Sequence, residues 1–378
     1  FPYTTLFRSL ERYQEALALF QRLEKELDAA ITLSGSLQSL IYLGQYDEAF
    51  ESATNARQIF ERHGDRLRLA RLDSNLGNIL YRQDRFEEAL ELYQRASDEL
   101  RTQGEAQDAA IALRNLAVCY ISLNNFPRAL ETYREARAYC EQQDMPLLVL
   151  EADYNIAYLY YLRGEYTRAI ELYRATREQC EKLGDSYHQA LCDLDQSEMY
   201  LELNLSEEGA QLAQQAFTSF EELGMGYEAA KAVANLAIAA SHQGKAFRAL
   251  ELFGKARELF TREQNRVWPA LIDLYQALVL YQEGRYFEAR RLCEDAFQFF
   301  SQSSLASKAA VCELLLARLH LQAGDPTAAQ QRCGAALERL EQAEAPALSY
   351  QAHFVLGQVQ EALGNRESAY LAYQEAHA

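Results

Sequence analysis

The chain has 378 residues, a formal net charge of −18, 49% hydrophobic residues and seven cysteines. That acidity disfavours nucleic acid and anionic membrane as partners, and no apolar run is long enough to cross a bilayer. Length alone suggests two or three domains, a reading that internal repetition overrides.

Residues 1–9, FPYTTLFRS, match nothing that follows and read as the in-frame translation of a sequencing adapter rather than native sequence. Tyr13 and Ala16 match Tyr46 and Ala49 at a different spacing, so residues 10–28 are expected to be the second helix of a truncated repeat. Residues 29–378 then hold nine 40-residue units, the last one truncated. Ala49, Ala89, Ala129, Ala169, Ala249, Ala289, Ala329 and Ala369 stand in one column, broken by Gly209. A second column, seven residues on, is alanine throughout except Thr176. A third, five residues ahead of the first, holds Gly44, Asp84, Asn124, Gly164, Asn204, Gly244, Gly284, Gly324 and Gly364. A stack of units needs such recurring small contacts, because each unit buries its face only against the next.

Residues 146–185 show the unit. Leu148, Ala152, Ile156 and Tyr160 have helical spacing, Arg163-Gly164-Glu165 ends the run, and Tyr166, Ala169, Ile170 and Tyr173 begin a second helix that closes at Gly184. Gly64, Gly104 and Gly224 stop the second helix elsewhere, and Asp325-Pro326 reads as an N-cap followed by a first helical residue. The fold class expected is all-α, a right-handed α-solenoid of about nine helical hairpins. In the fifth unit Asp195, Asn204, Ser206 and Gly209 depart from the pattern together, which predicts a bend or weak point over residues 195–210.

The cysteines fall in apolar columns and lack the spacing of a zinc site, so they read as free thiols and point to a reducing cytoplasm. The six histidines are scattered, with no hydrolase motif or phosphate-cradling loop. The many carboxylates read mainly as solvated helix faces. No catalytic residue, metal site or cofactor is expected, and this segment reads as non-enzymatic.

The unit resembles the tetratricopeptide repeat. The family's pattern is carried by Asn75-Leu76-Gly77, Leu80, Asp84, Phe86, Ala89, Tyr93 and Ala96, and again by Asn155-Ile156-Ala157, Tyr160, Gly164, Tyr166, Ala169 and Tyr173. The unit is 40 residues long where the family's usual one has 34, as in the long-repeat subgroup of bacterial regulators and kinesin light chains. More loosely, the repeats and the closing stretch Tyr350–Ala378 resemble the region preceding a caspase-like CHAT domain in bacterial proteins, which implies an effector domain in cis beyond Ala378. Two other readings are the sensory arm of a LuxR-type ATPase regulator and the substrate-recruiting array of an enzyme such as a glycosyltransferase.

The resemblance implies that first helices line a concave groove that takes a protein or extended peptide. Its groove columns place Arg71, Asn78, Tyr81, Arg114, Tyr154, Tyr158 and Tyr161 there. Asn75, Asn115, Asn155 and Asn235 stand in one adjacent column. Primary amides donate and accept, so a row of them can satisfy a peptide backbone, or can tie each helix to its neighbour. The tyrosines would add apolar area, and Arg71, Arg82 and Arg114 would favour an acidic ligand. Units five to eight carry a more aliphatic stripe, which is either exposed to a partner or buried.

Overall fold

The computed structural model describes residues 3–43, 45–83, 85–263, 265–303, 305–342 and 346–377. Gly44, Asp84 and Ala378 lie outside them. The described residues form nineteen α-helices and no strand. Helix α1 (Tyr3–Arg22) includes residues 3–9, and the next helix begins at Glu26, ahead of residue 29. Nine hairpins follow: α2 (Glu26–Tyr42) with α3 (Tyr46–Arg62), α4 (Arg66–Arg82) with α5 (Phe86–Thr102), α6 (Ala106–Ser122) with α7 (Phe126–Gln142), and α8 (Pro146–Leu162) with α9 (Tyr166–Leu183). Then come α10 (Ser186–Glu202) with α11 (Ser206–Glu222), α12 (Gly226–His242) with α13 (Ala246–Arg262), α14 (Val267–Gln282) with α15 (Tyr286–Ser301), α16 (Ala306–Gln322) with α17 (Pro326–Gln342), and α18 (Pro346–Ala362) with α19 (Arg366–Glu375). The chain divides into two units, residues 1–188 and 189–378.

Within each unit successive hairpins stack, and their first helices touch: α2 meets α4 and α4 meets α6 in one unit, α12 meets α14 and α14 meets α16 in the other. The alanine columns explain how. Ala89, Ala129, Ala249 and Ala289, with Ala96, Ala216 and Ala256, are wholly buried, so a methyl group sets the approach of neighbouring helices. Turns supply the other half of the pattern. Positive φ occurs at Glu24, Gly64, Gly104, Asn124, Asp144, Gly164, Gly184, Asn204, Gly224, Gly244, Gly284, Gly324 and Gly364. These positions fall on a 20-residue grid, so the turn inside a hairpin and the turn between hairpins share one left-handed corner. Asp325 caps α17 by accepting from the Ala328 N–H at 3.0 Å.

Helices α10 and α11 of the fifth hairpin each run unbroken for 17 residues. A Cβ at Gly209 would lie 3.0 Å from Leu201 and 3.1 Å from the Ser197 carbonyl oxygen, so the departure from alanine accommodates a close approach of α10. The aliphatic stripe of hairpins five to eight is largely covered: Leu194, Ala234, Leu274 and Leu314 are buried, and Leu271 and Leu278 pack against the cluster around Leu280 and Phe300.

All seven cysteines are free and buried. Burial pushes the thiols of Cys119 and Cys333 up to about 12, so they remain protonated small hydrophobes. Several carboxylates depart from the expectation of solvated faces. Asp73, Asp193, Asp195, Asp273 and Glu313 are buried on first helices. Asp73 accepts from Arg57 and, at 2.6 Å, from Arg95 Nε. Asp153, half-buried, accepts from Arg137 Nε at 2.6 Å, and Glu313 from Arg332 Nη1 at 2.8 Å. Each arginine lies on a second helix, so the pairs join helices on both sides of a turn. No described helix is long and apolar enough to cross a membrane.

Candidate functional site

Helices α2, α4 and α6 present one face to a groove of about 760 Å³ in the first unit. It is lined by Gln38 and Ile41 from α2, by Arg71, Ser74, Asn75, Asn78, Tyr81 and Arg82 from α4, and by Asp108, Ile111, Arg114, Asn115 and Val118 from α6. These residues meet because α4 and α6 repeat one helical face 40 residues apart: Arg71 corresponds to Ile111, Ser74 to Arg114, Asn75 to Asn115 and Asn78 to Val118.

The wall beneath Asn78 depends on a glycine. A Cβ on Gly77 would fall 2.6 Å from the Tyr93 ring, so only glycine lets that ring lie against α4. Tyr93, almost wholly buried, donates its hydroxyl to Asn78 Oδ1 at 2.7 Å. Burial pushes the Tyr93 phenol far above its ordinary range, so it stays a donor at every working pH. Asn115 donates its amide to the same Asn78 oxygen at 3.3 Å. Tyr81 and Ser122 share a hydroxyl contact at 3.0 Å across hairpins.

The arginines arrive already engaged. Arg71 donates Nε to Asp108 at 2.6 Å and Nη2 to Glu105 at 2.9 Å. The Asp108 hydrogen bond raises the Arg71 pKa further, against the opposing effect of burial. Arg114 donates Nη1 to Glu151 at 2.5 Å, linking the third hairpin to the fourth. Both guanidinium groups remain well exposed.

Of the eleven residues expected at the site, the groove brings together Arg71, Asn75, Asn78, Tyr81, Arg114 and Asn115. Asn155 instead lines a smaller hollow shared with Arg114 and Glu151, and donates to the Glu151 carbonyl of its own helix at 2.8 Å. Tyr154 packs edge-on against Tyr173 at 5.6 Å, and Tyr158 and Tyr161 lie 6.0 Å apart on α8 outside the groove lining. Asn235 belongs to the second unit, where it is buried and donates to Ser197 Oγ at 2.7 Å. The amide column therefore does three different things: Asn75 faces the groove, Asn115 and Asn235 tie hairpin to hairpin, and Asn155 bonds within its helix. Gln38, which shares a groove column with Asn78, also lines the groove; Asp108 and Tyr93 were not expected here. Tyr93 was legible only as part of the repeat pattern, and its role follows from Gly77 sixteen residues earlier.

No group of His, Cys, Asp and Glu suited to a metal ion occurs among the described residues. The groove offers hydrogen-bond donors, two arginines each held by a carboxylate, and apolar patches.

The tetratricopeptide repeat model matches residues 28–98 and 68–142, and two further models of that description match 151–180 and 314–378. The chain is a tetratricopeptide repeat protein. Helical hairpins continue between the matched stretches: α10 to α15 keep left-handed corners at Asn204, Gly224, Gly244 and Gly284 and wholly buried alanines at Ala216, Ala249, Ala256, Ala289 and Ala296. The comparison with curated proteins gave no match. Among solved structures, the repeat protein is similar to a Rap protein complexed with competence and sporulation factor, at 16% identity and a TM-score of 0.56, over 92% of this chain and 96% of that one. It is also similar to NprR in complex with its cognate peptide NprX, at 13% identity and a TM-score of 0.56, over 93% and 96% of the two chains. A third is the Signal Transduction ATPase with Numerous Domains protein with a tetratricopeptide repeat sensor from Pyrococcus horikoshii, at 15% identity and a TM-score of 0.59. The match covers 98% of this chain and 52% of that one, so the repeat array spans about half its length. At these identities the likeness establishes the fold.

Proposed function

We propose that the protein is a non-catalytic binding scaffold that holds an extended peptide, or an extended segment of a partner protein, along repeats two to four. The observation that carries this reading is the groove between α2, α4 and α6, in which Asn75, Asn78, Arg71, Arg114 and Tyr81 converge. Asn75 has no side-chain hydrogen bond among the described residues, so its amide is open to a ligand's backbone. Tyr158 and Tyr161 extend the surface along the fourth repeat with aromatic area of low entropy cost. Two structural neighbours, Rap and NprR, were solved with a factor and a peptide bound, and their likeness supports a peptide as the ligand.

The test is peptide capture from a random library by the purified chain, followed by titration of the selected peptide against Asn75→Ala and Asn75→Ala/Asn115→Ala variants. Loss of capture with an unchanged helical signal and melting temperature is expected. Undiminished capture by the double variant would place the binding surface elsewhere.

A second reading, also ours, is that the scaffold serves as the sensor arm of a larger signalling ATPase, supported by the likeness to the Pyrococcus horikoshii protein. The caspase-like effector rests only on the looser resemblance of the repeats and of the stretch Tyr350–Ala378. Nucleotide binding by the full-length gene product would separate the two.

A further inference from the structure

The polar groups that reach the groove are unevenly matched. Arg71, Arg82 and Arg114 line it, whereas Asp108 is the one carboxylate among the lining residues. Glu105 and Glu151, which bond Arg71 and Arg114, approach from outside that lining. The amides add to the same side. Asn78 Oδ1 accepts from both Tyr93 and Asn115, so its acceptor capacity is used, while its own N–H groups have no partner among the described residues. The groove therefore shows a ligand mainly donors, and the carboxylates that hold Arg71 and Arg114 lie, Asp108 apart, outside its lining.

From this we infer that the groove takes a peptide bearing carboxylates, and that Asp108 and Glu151 are internal stand-ins that such a ligand displaces from Arg71 and Arg114. The inference rests on reading the groove as the peptide site and names the chemistry of its occupant. The exchange is feasible because both clamps are accessible. Arg71 and Asp108 are 45% and 34% exposed, Arg114 and Glu151 are 39% and 24% exposed, and ion pairs this open to water contribute little to stability. An incoming carboxylate restores the charge-assisted hydrogen bond that the leaving one gives up, and the planar guanidinium accepts either in the same fork geometry. The released Asp108 and Glu151 regain water. In the free protein the same pairs keep the arginines from being left as uncompensated charges between helices.

The experiment uses three fluorescein-labelled nonapeptide libraries, identical except that alternate positions are fixed as Glu, Gln or Lys, titrated against the wild-type chain and against Asp108→Asn and Glu151→Gln. The Glu library should bind best, with affinity falling as salt rises. Each variant, having lost an internal competitor, should bind it about threefold to tenfold more tightly, the change expected from a clamp of roughly 1 kcal/mol. Equal or better binding of the Gln or Lys library, lost on Asn75→Ala, overturns the inference and leaves the groove as a peptide site. Tighter binding of the Lys library in Arg71→Gln would show that the carboxylates, not the arginines, do the recognising. Binding of no library overturns both readings.

Discussion

Arg257 on α13 donates Nε at 3.1 Å and Nη2 at 3.2 Å to the two carboxylate oxygens of Asp273 on α14, so one ion pair spans the corner between the sixth and seventh repeats. Asp273 is buried and Arg257 is half exposed. Burial raises the Asp273 pKa, and the guanidinium only partly offsets it. The pair thus holds two repeats in register while its carboxylate is poorly solvated. Removing the cation alone leaves a buried charge without compensation. Arg257→Leu should lower stability by about 1–3 kcal/mol, less than for a fully buried pair because Arg257 is half in water. Asp273→Asn should cost less, since the amide keeps an acceptor. The single tryptophan, Trp268, stacks on Phe260 at 4.6 Å close to this corner, so urea unfolding followed by its fluorescence is the direct measurement.

Two aspartates should respond to pH in opposite senses. The Asp65 carboxylate caps α4 by accepting from the Arg68 N–H at 3.0 Å. Burial opposes its ionisation, but that hydrogen bond and the Arg68 side chain together lower its pKa. A carboxyl with a lowered folded-state pKa adds stability above its ordinary pKa and loses it as pH falls through the folded value. Asp273, with a raised folded-state pKa, binds its proton more tightly when folded, so its contribution weakens as pH rises from the ordinary carboxylate range through the folded value. Melting curves between about pH 3 and 6 should show a shallower acid loss for Asp65→Asn than for wild type. For Asp273→Asn the deficit against wild type should shrink towards the upper end of that window, because the wild-type carboxyl loses its contribution there. Parallel curves for both variants would contradict the assignment.

Thr176 interrupts the second alanine column, and its hydroxyl is buried with no hydrogen-bond partner among the described residues. An unsatisfied buried hydroxyl costs about 1–3 kcal/mol, and threonine is also a poorer helix former than alanine. Thr176→Ala also removes a methyl group and leaves a small void. The balance should still favour the variant by about 0.5–1 kcal/mol. Thermal melting by circular dichroism decides it, and a lower melting temperature would mean that the void dominates.

Gly77→Ala should do the reverse of what helix propensity predicts. Alanine is ordinarily about 1 kcal/mol better inside a helix, but its methyl would sit 2.6 Å from the buried ring of Tyr93. A destabilisation of roughly 1–3 kcal/mol is expected from overpacking, together with weaker peptide capture as Tyr93 leaves Asn78. Gly77→Ala with Tyr93→Leu should recover the stability without recovering the capture.

The repeat, its helices and its contact columns were readable in the sequence because they depend on side-chain size at fixed intervals: alanine where helices touch, glycine or asparagine at most corners where φ turns positive, with Glu24 and Asp144 the exceptions among the described residues. The buried carboxylates were not, since Asp73 or Asp273 looks like any polar residue until its arginine is located. The signal lay in a spacing of sixteen, Arg57 to Asp73, Arg137 to Asp153 and Arg257 to Asp273, recurring on the repeat period. The groove was partly legible. A column predicts that Asn75, Asn115, Asn155 and Asn235 share an orientation, but what each amide bonds depends on its neighbour: Asn78 beside Asn115, Ser197 beside Asn235.

The 20-residue grid of left-handed corners bears on how such a chain changes length. Because Gly104, Asn124 and Asp144 all turn the same way, excising residues 106–145 would join Glu105 to Pro146 with an unaltered corner at Gly104 and a first helix still following a second. Removing 20 residues would keep the corner but place two helices of one kind in succession, setting alanine columns against the wrong faces. Whole hairpins can therefore be gained or lost by recombination without inventing a junction, and half hairpins cannot.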